Sequence, residues 1–379
     1  MRRMSAHRPL SLGTATAATG EVTYGWYTLA DLPTGHVERL PVVLARGREP
    51  GPTLWLTANI HGDELTGMGV VHDVVTPALL GELRGTIVAI PSLNPAGLHT
   101  RQREPYLDAR DPNRLFPGAD PPGADPAERA RLAETPGIFE AGYAALFAEL
   151  QASADLYVDL HCFGLQAASF IIRDRILYSD DAELPALERL LARLDALCQA
   201  SGLPVVLEHP AARYVEKLLH RSTTGAALNL ARIPAITVEL GLIGGIDPAA
   251  LAAGTTAVLN ILKGSGMLPG EPEPVRSVPQ PAIDFPVMRE STPRARTSGV
   301  LRYHVQPGDV FRAGDLLATL TDLHGRKLPE HGELRAEADG WVMGLARGAI
   351  CYQGQAVTHV AVRHEGPLLE RYPAVAPVA

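Results

Sequence analysis

At 379 residues, with 46% hydrophobic and 20% charged content, the chain is long enough for two globular domains with a core in each. A formal net charge of −8 argues against a general nucleic-acid binder, and no apolar run approaches the roughly 18 residues of a membrane span. Cys162, Cys198 and Cys351 are too few and too scattered for a disulfide framework, and the stretch behind Met1-Arg2-Arg3-Met4 is unlike a secretory signal, so a cytoplasmic protein with reduced thiols is expected.

In chain order, Glu21–Tyr24, His36–Leu40 and Val42–Ala45 read as strands. Thr53–Ala58 is a buried strand bounded by Gly51-Pro52, and helical spacing runs from Thr66 to Glu82. Between them lies Asn59-Ile60-His61-Gly62-Asp63-Glu64-Leu65-Thr66-Gly67, where a strand gives way to a helix. Thr86–Pro91 is another buried strand, ending in Ser92-Leu93-Asn94-Pro95-Ala96-Gly97. Strand, helix, strand at this spacing predicts a parallel or mixed sheet with helical crossovers.

Residues 99–137 form a long loop in which Arg101, Arg103, Arg110 and Arg114 cluster with Asp108, Asp111 and Asn113. Loops of that length are usually functional or disordered. Ile138–Ala152 is helical, and Asp155–His161 is a strand that delivers a second histidine at its end. Then come a strand at Phe170–Ile172, a helix at Leu184–Ala200 and a strand at Pro204–Leu207. A helix at Leu218–Leu230, a strand at Ala235–Leu240 and a helix at Pro248–Lys263 follow. Residues 269–286 are a Pro-rich linker. From 287 to 365, short strands alternate with Gly-rich turns and predict an all-β domain. The expected organisation is a domain over 1–268, the linker, the β-domain, and a tail over 366–379.

A catalytic zinc site takes three protein ligands and leaves one position open. Of the thirteen histidines only His61 has a Glu three positions on, and imidazole plus carboxylate suits Zn²⁺. His161 is the best third ligand, ahead of His72, His99, His209 and His220, and Asp159 faces its side of the strand. Glu239 lies within Ile236-Thr237-Val238-Glu239-Leu240, where an ionisable group is costly to bury without a purpose; it is the candidate general base. Arg114 beside Asn113 offers a planar bidentate donor and an amide to a substrate carboxylate. Arg103 or Arg101 from the same loop could steady an oxyanion. The bland alternatives are a surface histidine at an acidic helix start, a glutamate turned outward and solvated arginines.

Five motifs occur in one order: His61-Gly62-Asp63-Glu64, Asn94-Pro95-Ala96-Gly97, Asp111-Pro112-Asn113-Arg114-Leu115-Phe116-Pro117-Gly118, Asp159-Leu160-His161 and Thr237-Val238-Glu239-Leu240-Gly241. Over roughly residues 40–365 the chain resembles the succinylglutamate desuccinylase/aspartoacylase family, a branch of the zinc carboxypeptidase-like superfamily. The resemblance implies a three-layer α/β/α catalytic domain with a mixed sheet, followed by a small barrel-sandwich-like β-domain. It implies one Zn²⁺ per chain on His61, Glu64 and His161, a carboxylate held by Asn113 and Arg114, and Glu239 as general base and acid. Arg103 is carried forward as the oxyanion donor, although Arg101 fits the register as loosely. Pro112 stands where many relatives have Leu, and the β-domain has no carrier lysine at a hairpin tip, which leaves it a lid or an assembly contact.

The expected activity is zinc-dependent removal of an acyl group from a small N-acylated amino acid or related amine bearing a carboxylate. Neither nucleic acid nor membrane is an expected partner, and a homo-oligomer is compatible with the pattern. The competing expectations are a metallocarboxypeptidase acting on peptides and a non-catalytic metal- or ligand-binding relative.

Overall fold

The structure, a computed structural model, describes residues 10–118, 137–346 and 348–373. The N-terminal Met1-Arg2-Arg3-Met4, loop residues 119–136 and tail residues 374–379 lie outside the described residues. One large sheet organises the rest. Its strands are β1 (Glu21–Asp31), β2 (Val37–Arg46), β3 (Glu49–Ala58), β4 (Arg84–Ile90), β5 (Leu156–His161) and β6 (Ser169–Arg173). They continue with β7 (Val205–Leu207), β8 (Ala235–Leu240), β9 (Val287–Ser291), β10 (Val310–Phe311), β11 (Gly340–Leu345) and β12 (Thr358–Arg363). The spatial order is β10-β11-β12-β9-β7-β6-β8-β5-β3-β4-β2-β1.

Strands β4, β3, β5 and β8 run parallel at the centre. Their near-continuous apolar runs follow from burial on both faces. The helices are α1 (Thr66–Val74), α2 (Pro95–Thr100), α3 (Ile138–Ser153), α4 (Leu184–Ser201), α5 (Ala211–Glu216), α6 (Thr223–Asn229) and α7 (Pro248–Gly264). Helices α1 and α7 pack on the face carrying Leu160 and Leu240: a Cβ at Gly67 would fall 2.7 Å from Leu160, and one at Gly254 2.9 Å from Leu240. Helices α3 and α6 take the other face, where Trp55 Nε1 donates to Ser153 Oγ (3.0 Å) and Thr224 Oγ1 meets Thr237 Oγ1 at 3.0 Å. The helix expected over Thr66–Glu82 is divided. Helix α1 stops at Val74, and Pro77, which has no N–H to continue it, opens a 3₁₀ turn to Gly81. Among the described residues no helix is long and apolar enough to cross a membrane.

The Pro-rich stretch 269–286 forms no regular element. After it, β9 pairs in parallel with β7 through Leu207 and Met288 and antiparallel with β12 along its length. The C-terminal strands therefore extend the main sheet. Phe170, Ile172 and Val206 share a buried cluster with Val287, Trp341, Met343 and Ala361. A second sheet of Glu333–Arg335, Leu316–Thr321, Gly299–Tyr303 and Ile350–Cys351 closes over Leu301, Leu320, Leu334 and Val357. Within the expected tail, Leu369–Arg371 pairs in parallel with Ile176–Tyr178.

Candidate active site

Because β3, β4, β5 and β8 are parallel, their carboxyl ends share one edge, where α/β sheets collect ligand-binding groups. Strand β3 ends at Ala58, and Asn59 turns the chain in the left-handed region (φ 55) that Asn tolerates. Its Nδ2 donates to the carbonyls of His61 and Glu64, both at 2.9 Å, and Ser92 Oγ donates to its Oδ1 at 2.7 Å. Asn94 Nδ2 donates to Ile60 O and Arg103 O, both at 3.1 Å, and Gly62 N donates to Arg103 O at 3.2 Å. A Cβ at Gly62 would fall 2.0 Å from the Gly97 carbonyl carbon, so the turn admits only glycine there.

This turn sets His61 Nδ1 2.7 Å from Glu64 Oε1, while β5 brings His161 Nδ1 to 3.0 Å from Glu64 Oε2. One potential ligand atom from each residue lies within 4.8 Å of the other two, the one such group among the described residues. Each of the three is only 3% exposed. The outer imidazole nitrogens are also fixed, His161 Nε2 by Asp159 Oδ2 (2.7 Å) and His61 Nε2 by Asp111 Oδ1 (3.2 Å). Hydroxyls of Thr57 and Thr223 donate to Asp159, each at 2.5 Å. Carboxylates placed this way orient histidine metal ligands. Two imidazoles, a carboxylate and these anchors fit a cation such as Zn²⁺. Burial pushes the Glu64 carboxyl up, but the two imidazoles outweigh it and hold it well below the usual range. Burial works against a charged His161, and Asp159 and Glu64 more than reverse that.

In the parallel pairing of β8 with β5, Glu239 stands opposite His161. It is 8% exposed, and its Oε2 has no hydrogen-bond partner among the described residues. Burial raises its pKa to about 7; His161 and Arg289 act against that shift and Glu64 adds to it.

Asp111 caps the 3₁₀ turn Pro112–Arg114, accepting from Asn113 N at 2.9 Å, and takes a 2.9 Å bond from Arg103 Nη2. Arg103 Nη1 is also 3.5 Å from Glu64 Oε1. Arg101 is instead the exposed left-handed C-cap of α2, so Arg103 is the arginine beside the group. Asn113 Oδ1 accepts from Thr223 N at 2.9 Å, and Arg114 donates to the carbonyls of Lys217 (2.9 Å) and Asn113 (2.6 Å). His72 and His99 are exposed, whereas His209 and His220 are buried outside the group. Cys162 is buried, and its main-chain N–H donates to Glu64 Oε2 at 3.0 Å. In sequence Asp111 stands in the loop cluster with no task assigned and Arg289 carries no signal; for Asp111 the signal is an Asp just before Pro-Asn-Arg, a position that caps a turn.

The profile of the succinylglutamate desuccinylase/aspartoacylase catalytic domain matches residues 50–265, which include His61, Glu64, Arg103, Asn113, Arg114, His161 and Glu239. The chain belongs to this family. The N-alpha-acetyl-L-2,4-diaminobutyric acid deacetylase of Halomonas elongata is 25% identical over 327 residues, covering 85% of each protein. A succinylglutamate desuccinylase/aspartoacylase from Rhodobacter sphaeroides shares the fold (TM-score 0.69, 22% identity, 91% of this chain and 96% of that one). So does a product-bound ectoine utilization protein from Ruegeria pomeroyi (TM-score 0.67, 22% identity, 90% and 95%). The family is one of deacylases, and its members are hydrolases.

Proposed function

We propose that this protein is a zinc-dependent amidohydrolase that removes the acyl group from a small N-acylated amino acid bearing a free carboxylate. The observation that carries this is the convergence of His61, Glu64 and His161 beside a buried, unpartnered Glu239 Oε2. One Zn²⁺ per chain, held by those three ligands, would polarise the amide carbonyl and acidify a water. Glu239 takes the proton of the attacking water at Oε2 and returns it to the departing amine; a pKa near neutrality suits both transfers. Arg103, steadied by Asp111, offers an N–H to the carbonyl oxygen as it gains charge. Asn113 and Arg114 hold the substrate carboxylate.

In this reading residues 1–268 carry the chemistry, residues 287–365 restrict access to it, and the protein works in the cytoplasm. The Halomonas relative makes N-acetyl amino acids with a short amine side chain the first substrates to try. The test is elemental analysis of purified protein followed by a hydrolysis screen of N-acetyl and N-succinyl amino acids. About one zinc per chain and release of the free acid are expected. Absence of bound zinc, or of any turnover in metal-replete protein, overturns the proposal.

A further inference from the structure

Arg289 lies on β9, the strand that joins the C-terminal β-structure to the main sheet, one residue after the Leu207–Met288 pair. Its Nη1 donates to Glu208 Oε2 at 2.8 Å, and Glu208, 2% exposed, uses its other oxygen to accept His209 N at 2.8 Å. The guanidinium carbon stands 5.9 Å from the centre of the Phe163 ring. Phe163 comes two residues after His161 and packs edge-on against Phe170 at 5.1 Å, and Phe170 is the cross-strand neighbour of Glu239. Arg289 is thus tethered by a buried carboxylate on the strand side of the proposed base. Among the described residues, its other N–H groups have no polar side chain or carbonyl to serve.

Arg114 is built alike. Its two bonds go to main-chain carbonyls, and among the described residues no carboxylate pairs with it. The two arginines share a support. Lys217, whose carbonyl anchors Arg114, directly follows α5, and α5 is bound to β9 by Arg213, whose Nη1 donates to both oxygens of Glu290 (3.0 and 2.8 Å). Arg103, in contrast, is ion-paired with Asp111 and lies 3.5 Å from Glu64. Burial weakens the hold of Arg114 on its proton; Asp111 opposes that, and the like charges of Arg103 and Arg289 reinforce it. Two guanidiniums held from one helix, each with donors left over, suit an anion.

We propose that Arg289 is a specificity-determining residue that, together with Arg114, holds the substrate carboxylate, so that the C-terminal strand supplies half of the clamp. This rests on the carboxylate-bearing substrate of the proposed function, and binding is therefore measured separately from turnover. N-acetyl-L-2,4-diaminobutyrate and its primary carboxamide are titrated calorimetrically into metal-replete Glu239→Gln protein, with and without Arg289→Gln. The acid should bind more tightly than the amide, and Arg289→Gln should weaken the acid by about 10–100-fold while moving the amide less than about threefold. If Arg289→Gln fails to fold with Glu208 left bare, Arg289→Gln/Glu208→Gln replaces it, with the same expectation. A preference for the acid that survives the substitution, equal weakening of both ligands, or no binding of the acid at all overturns the proposal. Preferential binding lost with Arg289, in a wild-type protein that hydrolyses neither compound, sinks the deacylase reading and leaves the clamp standing.

Discussion

The central strands and strand β9 bring charged side chains to the same place by different means. His161 and Glu239 lie on paired parallel strands buried on both faces, while His61 and Glu64 follow the end of a third in a turn held by Asn59, Ser92 and Asn94. Arg289 arrives on a strand joined to β7 by one main-chain pair and steadied by the ion pairs Arg289–Glu208 and Arg213–Glu290. Ångström-level placement comes from the first arrangement, because a twisted parallel sheet leaves its strand ends little freedom. The second is joined to the central strands by one short parallel pairing and by the buried cluster that Phe170, Ile172 and Val206 share with Val287 and Trp341. In the proposed mechanism the reacting groups and the substrate-choosing arginine would thus sit on different parts of one sheet.

The comparison breaks if removing a central ligand proves harmless. His61→Ala or His161→Ala should lose most bound metal and all measurable turnover while keeping the far-UV circular dichroism of the wild type; full zinc retention in both moves the site elsewhere. Next in size, Glu239→Gln should keep its metal and lose turnover by ~10²–10⁴-fold. In the proposed mechanism its ionised form is the base, so wild-type kcat/KM should fall as the pH drops below about 7, and that limb should vanish in the variant. Near-normal turnover in fully metallated Glu239→Gln protein would take this residue out of the mechanism.

The join itself can be probed through Trp341, which is fully buried against Phe170 (5.7 Å, edge-on). Trp341→Ala should destabilise the protein by about 3–5 kcal/mol and leave one unfolding transition, since both regions share that cluster. Two resolved transitions in the wild type would mean that the strands of the C-terminal region unfold alone. The smallest effect concerns Asp174. Burial, with the charge of Glu208, raises its pKa to about 7, so the folded chain keeps a proton that the unfolded chain releases. Stability from that proton is full below about pH 4 and is lost as the pH rises through 7. Asp174→Asn, permanently uncharged, should raise the melting temperature by roughly 2–4 °C at pH 8 and by less at pH 5; an equal change at both pH values would assign the effect to packing.

Much of the central half is legible in the chain because its signals are local. A histidine and a glutamate at the end of an apolar run, a histidine closing Leu156–His161 and a glutamate inside Ala235–Leu240 each stand out against β-forming neighbours. The choice between Arg101 and Arg103 is not local, since it turns on a left-handed cap at Arg101 and on an acid eight residues beyond Arg103. Arg289 lies further out of reach. In sequence it is one residue of the all-β stretch 287–365, and its neighbours come from a parallel pairing with residue 207 across a proline-rich crossing. Likewise the tail looks loose in sequence, yet Arg175, 1% exposed, reaches Pro367 O and Glu370 and keeps Leu369–Arg371 against Ile176–Tyr178.

The turn at Asn59 also has a place in time. Ser92 and Asn94, which hold it, lie 33 and 34 residues downstream of their partners, and the Cys162 amide that meets Glu64 lies 98 residues downstream. On a growing or refolding chain these supports come after β4 and β5 have docked, so His61, Glu64 and His161 converge only once the sheet exists. An ion bound there would be a late guest and not a template, unlike the metal of a small domain that is unfolded without it. Refolding in the presence of a chelator should proceed at the rate seen with zinc and reach the same secondary structure; a refolding rate that climbs with zinc concentration would show the ion shaping its own turn.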